Sequence, residues 1–252
     1  MNSQPGLERC LSFINCQLQP STQPLLVRSS GEGYRTVTIS RQAGSGAHSV
    51  AERLTGLLQA RSPEGSCPWT VFDRNLVERV LDEHHLPGTL AKFMPEDRIS
   101  EMADTMDELF GLHPPSWTLV RQTADTVLRL AELGNVILIG RGGHVVTRRL
   151  PYVFHVRLVG SLERRVEHIQ QLNDLSRKKA LDWVQREERG RRRFLKKYFN
   201  RDINDPLLYH LVINTDLISH EEAARIIADA VLKPTHASAD RAVSAEAEAA
   251  ML

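Results

Sequence analysis

The residues best suited to chemistry lie in ISRQAGSGAHSVAERL, positions 39–54. Gly44, Ser45 and Gly46 separate a short apolar run from a helical pattern. Glycines there let successive backbone N–H groups converge on an anion. The start of the following helix adds its positive end. The chemistry implied is phosphate binding. The phosphate-loop pattern G-x-x-x-x-G-K-[ST] is met only in part, because Arg41 stands at its first glycine and Ala47 at its lysine. Ser49 supplies a hydroxyl suited to Mg²⁺. Arg41 and His48 are the nearby groups able to stand in for the lysine. A guanidinium grips phosphate oxygens in a fork, whereas a histidine is only partly charged near neutrality. An ordinary Gly-Ser-Gly turn between a strand and a helix fits the same residues.

Other candidates follow along the chain. Asp73 ends WTVFD, where it either faces a ligand or caps the next helix. In IGRGGHVV, Gly140, Gly142 and Gly143 allow close approach of the backbone to a ligand, and Arg141 extends from the turn. The stretch 177–201 carries eleven Arg and Lys against three acids. Arg186, Arg189 and Arg193 recur there at helical spacing, on one face. That stretch also fits a solvated basic helix. Its interleaved aromatics suit a helix packed on its apolar side better than stacked bases, so nucleic acid is the weakest partner class. In NRDINDP, Arg201 and Asp202 are candidates for substrate contact, while Asp205-Pro206 reads as a turn. The histidines show no metal-ligand spacing, so a metal cage built by the protein is not expected.

These residues need elements to hold them. TVTIS, WTVFD, NVILIG, YVFHVRLVG and HLVINTD read as strands, NVILIG being nearly all apolar as a central parallel strand would be. Helical patterns lie between them. Among them, 116–134 opens on Ser116 as an N-cap and stops at Gly134, and Ser161 and Ser219 open two more. NLVERVLDEH and DRISEMADTMDELFGL also read as helices. Strands joined by helices predict an α/β fold, a parallel sheet flanked by helices in three layers. Ligands in such sheets bind beyond the carboxyl ends of the strands, which is where Ser40–Ser49, Asp73 and Gly140–His144 fall.

Composition bounds the rest. The chain has 252 residues, 41% hydrophobic and 25% charged, with a net charge of +1. It carries no global field to draw it to nucleic acid or membrane, and no apolar run long enough to span a bilayer. Cys10, Cys16 and Cys67 are odd in number and lack metal spacing, and so are expected to be free thiols in a reducing cytoplasm. Residues 1–33, rich in Gln, Ser, Pro and Gly, are expected to be a flexible leader in which LSFIN could dock. Residues 233–252 are expected to form a flexible tail.

Taken in order, ISRQAGSGAHSVAERL, FDRNLVERV, IGRGGHVV and KKYFNRDINDPLLYHLVINTDLISHEEAARII resemble the cytidylate kinase-like family, a divergent branch of the P-loop nucleoside monophosphate kinases. The resemblance covers about 34–232. In that branch the loop commonly reads I-S-R-Q-x-G-S-G-G-R, so the missing lysine is partly a family trait. Ala47 and His48 are this chain's own departures. The resemblance implies an ATP-dependent kinase domain over 34–232, with helical acceptor-binding segments at 74–120 and a lid at 176–201. It implies a γ-phosphate transfer to CMP or dCMP, with Mg²⁺ arriving on the nucleotide. The loop residues Gly44, Ser45, Gly46 and Ala47 would hold the β- and γ-phosphates, with Ser49 on the metal. Arg41 and His48 would supply charge. Asp73, Arg141, Arg201 and Asp202 would place the acceptor. Arg189 and Arg193 would come over the transferring phosphoryl group from the lid. The rival expectation is a nucleotide-binding sensor or interaction module with a degenerate loop and little turnover.

Overall fold

A computed structural model describes residues 12–13, 16, 34–73, 115–140 and 142–233. The elements are β1 (Thr36–Arg41), α1 (Ala47–Ala60), β2 (Thr70–Phe72), α2 (Pro115–Leu133), β3 (Val136–Ile139), α3 (Gly143–Val146), β4 (Val153–Val159), α4 (Leu162–Asn173), α5 (Arg177–Phe199), a 3₁₀ turn (Pro206–Leu208), β5 (Leu211–Asn214) and α6 (His220–Leu232). All five expected strands are present. They pair in parallel in the order β2-β3-β1-β4-β5. β1 therefore lies at the centre, and the glycine loop leaves its carboxyl end. The two proposed helices between 74 and 114 lie outside the described residues.

The period-two alternation of β1 and β4 sorts the two faces of the sheet. Val37, Ile39, Phe154, Val156 and Leu158 join Ile137, Ile139 and Ile213 on one face. Val50, Leu54 and Leu58 of α1, with Ala224, Ile227 and Val231 of α6, pack against them. On the other face Val136, Leu138 and Val153 meet Phe72 and the α2 residues Val127 and Ala131. Helices thus cover both faces, making three layers. The second face also carries a polar row from β1 and β4. Thr38 Oγ1 lies 2.8 Å from His155 Nδ1, and Arg157 Nη1 donates to Ser40 Oγ at 2.9 Å. That row points toward the carboxyl end of the sheet.

Three helix starts are fixed by serine hydroxyls that accept backbone N–H groups: Ser161 from Arg164, Ser176 from Lys179 and Ser219 from Glu222. Such caps satisfy donors that the first helical turn leaves unpaired. Ser116 is not the N-cap of α2. That helix already includes Pro115, whose ring fixes φ near the helical value and whose missing N–H costs nothing in the first turn. Gly134 does end it, with φ +76°.

The expectation of free thiols is corrected for two of the three cysteines. Cys16 and Cys67 are joined by a disulfide, so they are not free thiols. Cys10 is outside the described residues. Phe13 is 1% exposed and meets Phe72 edge-on at 5.5 Å between ring centroids. Phe13 belongs to LSFIN, the stretch expected to be able to dock, and its ring packs against Phe72 of β2.

Candidate active site

Gly44 and Gly46 adopt φ +85° and +78°, a region open to glycine at little cost. Space demands glycine as well. A Cβ on Gly44 would strike the carbonyl of Arg165, and one on Gly46 would strike the His220 ring. The loop's carbonyls are held one after another. Gln42 O accepts from Ser45 N at 3.2 Å and from Ser45 Oγ at 2.8 Å. Ala43 O accepts from Arg165 Nη1 at 3.1 Å, and Gly44 O lies 2.7 Å from His168 Nδ1. A trans peptide carries its C=O and the next N–H on opposite edges. Each tethered carbonyl therefore fixes the direction of the next amide. The first turn of α1, Ala47 to Ser49, adds N–H groups with no intrahelical acceptor. The turn has the backbone form that suits an anion, and its geometry is set from outside.

The predicted site residues fall into three groups. Arg41, at the end of β1, lays its guanidinium against Gly140, where any Cβ would collide with it. Ser45 turns inward onto Gln42 and is buried, and Ala47 is buried in the core beneath the loop. Ser49 is half-buried in the first turn of α1. His48 and Asp73, reached separately from sequence, are brought together: Nε2 lies 2.6 Å from Oδ2. His48 is 60% exposed there, so its ring leans across to the end of β2. Arg201 and Asp202 are exposed, and Asp202 Oδ1 accepts from Asn204 N at 2.9 Å to close a local turn. Arg141 is outside the described residues.

Arg189 and Arg193 are on the exposed side of α5. The side that faces the loop carries Ala180, Val184, Phe194 and Leu195, all buried, and between them Glu187, Glu188 and Arg191. Glu188 Oε1 accepts from Ala43 N at 2.5 Å. It lies 3.6 Å from Arg165 Nη1 and 3.8 Å from Arg191 Nη1. Arg191 Nη2 donates to Glu187 at 2.9 Å, while its Nη1 is buried without a hydrogen-bond partner. Arg191 lines a small open cleft with Ser40, Arg41, Gly140, Gly142, His144, Leu195 and Ile203. The cleft lies beyond the carboxyl ends of β1 and β3. Spacing did not single out Glu188 or Arg191. Charged residues inside an otherwise apolar helical stripe were the available signal.

Neutral groups line the inner wall. Burial first, then the nearby Arg157 cation, lowers His144 to about 3. Its Nε2 sits 3.3 Å from Tyr209 Oη, and that hydroxyl donates to Ile203 O at 2.8 Å. Burial raises the Tyr209 phenol. Arg157, 2% exposed, also donates to Asn204 Oδ1 at 3.0 Å. The site is thus built of fixed amides, neutral polar groups, and arginines balanced by Glu187 and Glu188. Such an arrangement stabilises transferring negative charge. No cluster of three or more His, Cys, Asp or Glu that could hold a metal occurs among the described residues.

A cytidylate kinase from Methanothrix thermoacetophila is 30% identical over 180 residues, which span 71% of this chain and 87% of that protein. The crystal structure of an uncharacterized protein from Eubacterium ventriosum superposes with a TM-score of 0.56 at 16% identity, covering 78% of this chain and 97% of that one. That likeness shows the fold alone. The sequence profile of the cytidylate kinase-like family matches residues 36–217, so the chain belongs to that family.

Proposed function

We propose that the protein transfers the γ-phosphate of ATP to a nucleoside monophosphate, with CMP or dCMP the first acceptors to test. Family membership supports a nucleotide kinase. The observation that carries the reading is the pairing of a preset amide cup with a buried, part-unpartnered arginine across the cleft. Phosphoryl transfer asks the protein for positioning and charge stabilisation rather than covalent chemistry. The amides of Gly44, Gly46 and Ala47 hold the donor phosphates, while Ser45 N–H closes the turn on Gln42 O. An oxygen of the acceptor phosphate attacks the γ-phosphorus while its bond to the ADP oxygen breaks, giving ADP and a nucleoside diphosphate. Arg41 and Arg191 neutralise the moving charge from opposite sides of the cleft. The helix bearing Arg191 serves as the lid. Arg141 and Asp73 address the acceptor. The Ser49 hydroxyl and the Asp73 carboxylate are hard oxygen donors that suit Mg²⁺ brought in with ATP, which would supply charge neutralisation at the phosphates.

The test is ADP release from ATP and Mg²⁺ with each of the four monophosphates in turn. Release with one acceptor well above the others supports the reading and names the substrate. A second reading, a nucleotide sensor with little turnover, is favoured by Ala47 in place of lysine and by the engagement of His48 with Asp73. It requires ATP binding with no acceptor-dependent ADP. No helix among the described residues is long and apolar enough to cross a membrane. The kinase reading implies a cytoplasmic location, where disulfides are uncommon. The redox state of Cys16 and Cys67 in cells therefore tests that location.

A further inference from the structure

We propose that His168 is a positioning residue that locks the Gly44–Ser45 peptide of the loop; the inference rests on the phosphate-binding reading of that loop. His168 stands on α4, one turn after Arg165. Its Nδ1 is 2.7 Å from Gly44 O. A carbonyl oxygen only accepts, so Nδ1 carries the hydrogen and donates. The rest of the loop's outer surface is covered too. Arg165 holds Ala43 O, and its own backbone carbonyl fills the space beside Gly44. The His220 ring fills the space beside Gly46 and lies 5.7 Å from the His168 ring. Burial, and secondarily His168 and Arg53, lowers the pKa of His220, which favours an uncharged, packing ring.

The physical need for the lock is specific. Gly44 has φ +85° and no side chain, and a glycine peptide rotates more freely than any other. Turned about, the Gly44–Ser45 plane would aim its carbonyl dipole into the cup, against a phosphate oxygen. It would also withdraw Ser45 N–H from Gln42 O, the 3.2 Å bond that closes the turn. His168 holds the carbonyl outward and so keeps both faults from occurring. A loop with a lysine has a full charge to compensate for a misdirected dipole. This loop has Ala47 there, so its affinity depends more on each dipole being correctly set.

The test uses the full chain with His168→Asn, His168→Leu and His168→Gln. The Asn amide nitrogen reproduces the place of Nδ1, the Gln amide reproduces that of Nε2, and Leu has no donor. Expected by calorimetry without acceptor is a loss of about tenfold in Mg·ATP affinity for Leu and Gln, the worth of one hydrogen bond, with Asn within about threefold of wild type. The acceptor KM should stay constant across the set while the ATP KM moves. If His168→Leu does not fold, Gln against Asn carries the comparison. Equal ATP affinity in all variants, or an Asn variant no better than Gln, overturns the lock. The second measurement is amide exchange at Ser45 in the ligand-free protein. It should quicken in the Gln variant and not in Asn, and unchanged exchange likewise overturns the lock. If folded wild type binds no Mg·ATP, the phosphate reading falls on its own. The exchange comparison still decides whether His168 sets the peptide.

Discussion

Arg191 offers the sharpest test of how the cleft works. A guanidinium has five donors. In this structure Nη2 is spent on Glu187, and Nη1 is near Glu188 without bonding it. Nη1 is therefore a donor committed to no acceptor, on a residue that lines the cleft. A charge-assisted hydrogen bond is worth about 1.5–3 kcal/mol, or about 10- to 150-fold. Two such bonds to a phosphoryl group, with its charge largest in the transition state, put the Arg191→Ala loss in kcat at about 10²–10⁴-fold. Arg191→Lys keeps the charge but not the fork, and should recover only about tenfold of that. The fold should tolerate both changes, because Glu188 retains Ala43 N and Arg165. The assay is acceptor-dependent ADP release at saturating ATP, with urea unfolding to confirm a native protein. The double variant Arg189→Ala/Arg193→Ala, altered on the exposed side of the same helix, should cost less than Arg191→Ala. If the double variant costs more, or if Arg191→Ala stays within about threefold of wild type, the assignment of the lid charge to the inward face is refuted.

Three further outcomes are expected. Gly46→Ala should abolish ATP binding and cost about 1–3 kcal/mol of stability by urea unfolding, since it forces a side chain into a left-handed φ and onto the His220 ring. His144 and His155 are both held neutral at about 3, chiefly by burial. The unfolded chain takes up their protons near pH 6.5, so stability is complete above that pH and falls below it, by up to about 1.4 kcal/mol per pH unit for each group. Urea titrations at about pH 7 and about pH 5 measure the slope, and His155→Asn should reduce it. Reducing the Cys16–Cys67 bond opens a loop with a sequence separation of 51. It should lower unfolding stability by up to about 4 kcal/mol, and Cys67→Ser should abolish the effect of reductant.

Much of the fold was legible in the chain because its signals are local. NVILIG is apolar on both faces, and β3 is buried along its whole length. Ser161 and Ser219 cap as their positions require. The loop's glycines declare a turn that needs positive φ. What the chain concealed depends on register between distant elements. Nothing local tells which side of α5 meets the loop, so spacing points to Arg189 and Arg193 on the exposed side as readily as to Arg191, which faces the loop. Arg165 and His168 look like ordinary helix-surface residues until α4 is seated on the loop. Ser116 has the chemistry of a cap, but the first helical turn tolerates Pro115, so the helix already contains the residue before it. The Cys16–Cys67 pair was invisible, since a cross-link reflects proximity in three dimensions and not spacing.

The seat of Phe13 bears on what counts as the cooperative unit. The family match starts at residue 36, yet this ring is among the largest fully buried side chains of the described residues. A truncation begun at the recognisable boundary would leave a void against Phe72, Val136 and Leu138 and forfeit about 3–5 kcal/mol, as a Phe deletion does in a core. That is a large share of what holds a domain together. The evolutionary edge of the kinase module and its thermodynamic edge therefore do not coincide, since Phe13 is packed into the core of the domain it precedes.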